Sequence, residues 1–393
     1  MSNSVTMPFP IRIKTSLKLD FVLLLIVGTL FFGGLVILAS ASITVSDNAV
    51  GAPFYYVQRQ LFAALIGALA TAACVLVPMR AWQTLSPVIL LLGLALLCVV
   101  LVPGLGYEVN GATRWVRIGI FNLQVSEPAR LCLLIYLAGY VVRQQKNLRE
   151  RFVGFLRPML VLSISCLLLL QQPDFGAAIV LLATALIMLF VGGARIRDFV
   201  LFFSLALGAM TAVALTSAYR LKRLTGFLDP WADPYNSGFQ LTQSLIAVGR
   251  GEWLGVGLGE SVQKLFYLPE AHTDFVFAVF AEEFGLLGSL VLIGLFVALL
   301  WRIFRLALRA SASERYFEAY LAIGIGTWLG LQAFINIGVN MGVLPTKGLT
   351  LPLISYGRSS LIVTMAAVGL LLRIHHELLV DARPVNRTRR KKR

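Results

Sequence analysis

Residues 21–43 run without a single charged side chain. About 20 such residues in a helix span the roughly 30 Å hydrocarbon core of a bilayer. A helix is what such a run must form there, because no water is present to satisfy an unpaired backbone group. Nine further apolar stretches follow, at 61–79, 85–102, 128–142, 158–171, 175–194, 199–219, 284–301, 319–344 and 359–372. The eighth span enters from about Asp274, and those at 128–142, 158–171 and 359–372 are short or carry a charge near one end. The pattern predicts an all-α integral membrane protein: a polytopic bundle of about ten transmembrane helices.

Composition closes off the other classes. Of 393 residues, 58% are apolar and 13% charged, where soluble domains carry about 45–50% and ~25%. A water-soluble globule could not hide that much apolar surface. Cys74, Cys98, Cys132 and Cys166 lie far apart inside apolar stretches, so neither a disulfide framework nor a metal spacing is present, and packing is their expected role. The net charge of +15 forms no basic stripe on an amphipathic fold, which argues against nucleic acid as a partner. The basic run 387–393 follows an apolar segment and suits anionic lipid headgroups.

Charge distribution orients the chain. With ten spans and the N-terminus inside, the cytoplasmic segments collect Arg12, Lys14, Lys18, Arg80, Arg143, Lys146, Arg149, Arg151, Arg157, Arg195, Arg197, Arg302, Arg305, Arg309, Arg315 and the basic tail. On the other side, acids such as Glu108, Asp229, Asp233, Glu252, Glu260 and Glu270 offset fewer cations. The positive-inside rule then places both termini in the cytoplasm. Ala39-Ser40-Ala41 has the look of a signal-peptidase site, but the run around it is too long for a signal peptide, so the first helix is expected to stay uncleaved. The organisation expected is a cytoplasmic segment 1–20, a membrane domain 21–378 and a basic cytoplasmic tail 379–393, with a large outer loop at 220–273 between helices 7 and 8. Loops of that length are usually functional. A second outer segment spans 104–127.

The outer loop holds most of the chemistry-bearing residues. Its glycines, from Gly249 to Gly259, follow no strand and lack a Gly-Lys-Ser/Thr ending; tight turns at the membrane surface explain them better than a phosphate loop. Asp274 stands where the loop enters a helix, a position that fits a cap for orphan amides, with Thr273 an alternative cap. Arg130 interrupts the fourth span, and a charge there is a functional hypothesis; Asp274 is its expected partner, and snorkelling to the headgroups the alternative. Glu282, on the helical face of Asp274 and Ala278, and its neighbour Glu283 either point into a polar cavity or hydrogen-bond to another helix. His272 is as suited to a loop hydrogen bond as to catalysis.

Several long strings resemble the SEDS family of bacterial cell-wall proteins, which act in shape, elongation, division and sporulation. They are 110–115 (Asn-Gly-Ala-Thr-Arg-Trp), 124–128 (Gln-Val-Ser-Glu-Pro), 172–176 (Gln-Pro-Asp-Phe-Gly), 269–275 (Pro-Glu-Ala-His-Thr-Asp-Phe), 282–285 (Glu-Glu-Phe-Gly), 336–340 (Asn-Ile-Gly-Val-Asn) and 344–352 (Leu-Pro-Thr-Lys-Gly-Leu-Thr-Leu-Pro). The wording at 269–274 and 345–350 is similar to the division member rather than the elongation member. The resemblance implies a peptidoglycan glycosyltransferase that polymerises lipid II at the division septum of the cell inner membrane. It implies a class B penicillin-binding protein, FtsI, as crosslinking partner, with FtsQ, FtsL, FtsB and FtsN as divisome partners. Two other functions stay open: a lipid II flippase, and a non-catalytic divisome scaffold.

The resemblance makes Asp274 the catalytic residue, a general base for the attacking sugar hydroxyl. A divalent cation, magnesium or manganese, could neutralise the pyrophosphate, with Asp274 as a ligand; no organic cofactor is expected. Arg130, Arg223, Lys264, Lys347 and Glu282 are the expected substrate-binding residues, since pyrophosphate and a peptide stem both attract cations. The family usually has Lys where this chain has Arg130, and Gly where it has Arg358. A large cation at position 358 would either alter the backbone turn or reach toward lipid phosphate.

Overall fold

A computed structural model describes residues 17–109, 111–119, 121–215, 226–236 and 238–381. Twelve helices are described: α1 (Phe21–Val50), α2 (Tyr55–Leu76), α3 (Met79–Val99), α4 (Ser126–Arg143), α5 (Gln145–Glu150), α6 (Phe152–Gln171), α7 (Phe175–Val191), α8 (Ile196–Leu215), α9 (Phe239–Arg250), α10 (Val276–Ala312), α11 (Tyr316–Asn340) and α12 (Arg358–Asp381). Each expected span falls on one of them. Boundaries move where polar residues continue an apolar helix. α1, for example, runs seven residues past 43 to Gly51, whose left-handed φ of 68° closes it with an N–H donated to the Asp47 carbonyl. Among the described residues seven helices are long and apolar enough to cross a membrane: α1, α2, α3, α6, α10, α11 and α12. α7 is apolar but shorter, and α4 carries Glu127, Arg130 and Arg143.

Burial separates an inner set of helices from an outer one. Two-thirds of the apolar window of α11 and of α12 is buried, against about a quarter in α1 and α3. α4 is buried along most of its length. The outer helices present Leu, Val and Phe outward, among them Phe32, Leu65, Leu91 and Val291, as lipid requires. Lipid tails are as apolar as leucine, so helices must associate by close packing and polar contacts. α2 and α12 do both. A Cβ on Gly67 would stand 2.5 Å from the Met365 sulfur, and one on Gly369 would stand 2.7 Å from the Thr71 carbonyl oxygen. The Thr71 hydroxyl donates across the pair to the Met365 carbonyl at 2.7 Å.

The expected outer segment 104–127 folds as a three-stranded antiparallel sheet, β1 (Gly106–Val109), β2 (Ala112–Ile118) and β3 (Phe121–Gln124), in the order β1-β2-β3. β2 and β3 pair from Trp115↔Gln124 to Ile118↔Phe121. The Gln124 amide then donates to the Ser359 hydroxyl at 2.9 Å, which ties the sheet to the start of α12.

Within 220–273, the described part is structured rather than extended. α9 lies there, and its Ser244 hydroxyl donates to the Asn340 carbonyl at 2.7 Å. The glycine-rich stretch docks on α10, which is interrupted at Gly285 (φ 65°, ψ −163°). The interruption strands two carbonyls, and the loop answers each: Val256 N donates to Glu282 O at 3.0 Å, and Gly257 N to Glu283 O at 3.1 Å. In return Leu286 N donates to Glu252 O at 2.9 Å and Leu287 N to Trp253 O at 3.1 Å. Such exchange is how a broken helix is tolerated at membrane depth.

The opposite end of the bundle is held by ion pairs. Asp20 caps α1 through Leu23 N at 3.1 Å and grips Arg302 of α10 with two bonds, at 2.8 and 2.9 Å. Glu377 of α12 joins Arg373 at 2.7 Å and Arg315 at 2.9 Å, and accepts from the Met79 amide at 2.9 Å.

A Cβ at Gly285 would be driven into the backbone of Gly255 and Gly251, at a φ that side chains avoid. Gly285→Ala is therefore expected to cost at least about 2 kcal/mol, read as a lower thermal-unfolding midpoint in detergent. An unchanged midpoint would mean that the interruption is not held as described.

Candidate active site

A cavity of about 730 Å³ opens at the end of the bundle formed by the sheet, the N-termini of α4, α7 and α12, and the segments either side of α10 and α11. Arg114, Trp115, Asn122 and Gln124 reach it from the sheet, Glu127 and Arg130 from α4, and Asp174 from the cap of α7. Glu270 to Phe275 form another wall, Thr346 to Thr350 a third, and Tyr356 to Ser360 a fourth.

Asp274 lines this cavity without capping α10. The N-cap is Phe275, which makes no side-chain cap bond, and the Thr273 hydroxyl bonds Glu270 instead. Asn340 of α11 does the capping from outside: its side-chain oxygen accepts from Ala278 N at 3.1 Å, while its amide donates to the Asp274 carbonyl at 3.0 Å. Asn336, one turn earlier, donates to the Asp274 carbonyl at 2.8 Å and to the Leu349 carbonyl at 2.6 Å. The pair thus fixes the Asp274 backbone and draws the 346–350 segment against it. Gly348 faces the carboxylate so closely that a Cβ there would stand 2.9 Å from Oδ2. Asn336 and Asn340 were legible as a polar i, i+4 pair inside an apolar span, an expensive placement that marks function.

Arg130 does not snorkel; it is 2% exposed. Its ion-pair partner is Glu127, one turn earlier at 3.5 Å, rather than Asp274. It also donates to Gln332 at 3.0 Å and lies 5.4 Å from the centre of the Trp328 ring. Lys347 lines the cavity with its ammonium 4.1 Å from the Phe175 ring centre. The Arg114 side chain is engaged by the Gln172 and Pro173 carbonyls. His272 packs against Tyr56 and Tyr356 at 4.6 and 6.0 Å between ring centres. Burial pushes its imidazole below the usual value of 6.5, only partly countered by Glu270, which favours the neutral form.

The model of the FtsW/RodA/SpoVE cell cycle proteins matches residues 20–379. This chain belongs to that family. It is 53% identical to a probable peptidoglycan glycosyltransferase FtsW of Thioalkalivibrio sulfidiphilus, over 93% of this chain and 92% of the relative. It is 55% identical to one of Nitrosococcus halophilus, over 88% and 89%. Among solved structures it resembles a chain of a peptidoglycan synthase complex that coordinates polymerization and crosslinking (TM-score 0.74, 34% identity, 92% of this chain and 99% of that one). It also resembles the rod shape determining protein RodA of Thermus thermophilus (TM-score 0.69, 30% identity, 92% and 98%).

Within this FtsW/RodA/SpoVE chain, two of the expected substrate-binding residues lie away from the cavity. Glu282 is wholly buried and binds the outer loop: it pairs with Arg250 at 2.9 Å and accepts from the Ser261 hydroxyl, from Val262 N at 3.1 Å and from Gln263 N at 3.3 Å. Lys264 is buried too, held by Glu283 at 2.8 Å, the Ser40 hydroxyl at 2.8 Å and the Gly259 carbonyl at 2.7 Å. Both sites are spent on joining the loop to α1 and α10. Neighbouring glutamates at the end of one helix turn face different partners, which sequence spacing alone could not assign. Arg223, with Arg220 and Lys222, lies outside the described residues. The four cysteines are free.

Removing one partner of a buried pair leaves the other uncompensated, at about 3–5 kcal/mol. Lys264→Met should therefore lower the unfolding midpoint sharply, and Lys264→Met with Glu283→Gln should recover much of it. If the double variant falls by the sum of the two single losses, the pair is not coupled as described.

Proposed function

We propose that this protein polymerises lipid II, joining disaccharide units into glycan strands for the division septum. What carries the reading is one carboxylate, Asp274, whose backbone carbonyl is clamped by two asparagines in the wall of a cavity that Arg114, Arg130, Lys347 and Arg358 also line, beside Glu127, Asp174 and Glu270. The sugar 4-hydroxyl of one lipid II attacks the anomeric carbon of another. Asp274 takes the hydroxyl proton, the new glycosidic bond forms, and the bond to the lipid pyrophosphate breaks with its electrons going to that leaving group. One positioned base suffices for such a displacement, because pyrophosphate needs no protonation to depart. Lys347 and Arg130 supply positive potential along the wall, the latter tempered by Glu127.

Among the described residues no group of three or more His, Cys, Asp or Glu is arranged to hold a metal. No step here is routed through a cation. A magnesium or manganese ion would arrive with the pyrophosphate, with Asp274 as its protein ligand, as Mg²⁺ commonly binds through one or two carboxylates plus substrate phosphates.

The topology that goes with this reading has ten crossings: the seven long apolar helices with α4, α7 and α8. In its favour, the C-termini of α3 and α11 and the N-termini of α4, α7, α10 and α12 all meet at the cavity end, as strict alternation demands. The ion-paired, basic end is then cytoplasmic with both termini, and the cavity and the 220–273 loop face the periplasm of the inner membrane. A class B penicillin-binding protein of the FtsI type is the proposed crosslinking partner, with FtsQ, FtsL, FtsB and FtsN around it at the septum.

Asp274→Asn keeps shape and hydrogen bonding but removes basicity, so polymerisation of lipid II should fall about 10²–10⁴-fold while production and binding to the penicillin-binding partner persist. A wild-type rate in that variant would sink the mechanism. For topology, a reporter that works only in the cytoplasm, fused near residue 250, should stay silent; a strong signal there would reverse the orientation and remove the site from the periplasm.

A further inference from the structure

Arg358 is the first residue of α12 and lines the same cavity as Asp274. The helix begins there with no left-handed φ at this position, so the arginine does not disturb the turn. Its guanidinium instead lies 5.0 Å from the centre of the Phe121 ring on β3. The two are locked together: the Ser359 hydroxyl accepts from Gln124 N at 2.9 Å and donates to the Asn122 carbonyl at 3.4 Å, so β3 and the first turn of α12 form one unit. Other cavity guanidiniums are committed, Arg130 to Glu127 and Gln332, and Arg114 to two carbonyls. Arg358 forms no hydrogen bond and no ion pair with any described residue. A planar fork seated on an aromatic face, with its N–H edges unspent, is built to receive an oxyanion in bidentate fashion.

We propose that Arg358, seated on Phe121, is a substrate-positioning cation that binds an oxyanion of the lipid-linked substrate, either a pyrophosphate oxygen or a stem-peptide carboxylate. This rests on the polymerase reading above. Because the contact holds substrate and takes no part in proton transfer, its loss should appear in KM; kcat should stay nearly intact for a stem-carboxylate contact and fall as well for a pyrophosphate contact, where negative charge grows as the bond breaks.

The test follows initial rates of lipid II polymerisation by the full chain, with its penicillin-binding partner supplied. Arg358→Gln should raise KM roughly ten- to a hundredfold, the range for loss of a charged hydrogen bond. Arg358→Lys should recover part of the loss, and Phe121→Leu should fall between. Thermal-unfolding midpoints should match the wild type, which a structural role would not allow. Repeating the series with a substrate that lacks the stem peptide separates the two sources. A persisting KM penalty assigns the pyrophosphate, and a vanished one assigns the stem carboxylate; either supports the inference. An active wild type with unchanged KM in Arg358→Gln overturns it. So does a loss confined to kcat, or one that follows a lowered midpoint. A wild type no more active than Asp274→Asn overturns the polymerase reading itself, and this inference with it.

Discussion

Four backbone hydrogen bonds between the glycine-rich stretch and the interruption of α10 hold the rest of this structure in place. In a bilayer an unpaired N–H or C=O costs several kcal/mol, so a helix can break only where something else completes its ladder. Here Val256, Gly257, Glu252 and Trp253 complete it. Once the loop is bound at that point, Glu282 and Glu283 gain their loop partners, and Lys264 is drawn down to Ser40 of α1. The same docking sets where the segment from Pro269 to Asp274 re-enters the bundle. The position of the candidate base is thus a consequence of backbone accounting several turns away.

The second organising element is the asparagine pair on α11. Asn340 caps the first turn of α10 in place of a local side chain, and Asn336 joins Asp274 to Leu349. A clamp on the carbonyl fixes the backbone of Asp274 without using its carboxylate as the helix cap. Capping by Asp274 itself would have spent that carboxylate on the helix amides. The division of labour between the two asparagines and the aspartate is a physical reason for placing amides inside an apolar helix despite their cost.

Charge in the cavity is arranged by degree of commitment. Arg130 is buried with Glu127 beside it, which keeps a cation in the wall without leaving a bare charge at membrane depth. Arg114 is tied to the turn before α7 through the Gln172 and Pro173 carbonyls. Lys347 and Arg358 rest on aromatic faces, Phe175 and Phe121, an arrangement that orients a cation.

Helices, their approximate ends and the class of the protein were legible in the sequence, because apolar runs of bilayer length have one stable outcome and the residues that decide it are contiguous. The motif carrying Asp274 was legible for a similar reason: its residues are neighbours in the chain. What only the tertiary structure decided was which charged residues meet. Arg130 was matched to Asp274 by charge alone, yet its partner is Glu127, one helical turn away. Lys264 read as a substrate contact because it is a cation on the outer side, and Glu282 because it shares the helical face of Asp274, whereas here the loop is drawn onto α10 and both are buried in joining the two. The sheet at 106–124 escaped notice because its short strands carry no long alternating pattern. Apolar burial is summed over neighbours along one helix and can be read from them; which of several possible partners a buried charge takes depends on how the segments pack, whether that partner lies three residues away, as for Arg130 and Glu127, or 282, as for Asp20 and Arg302.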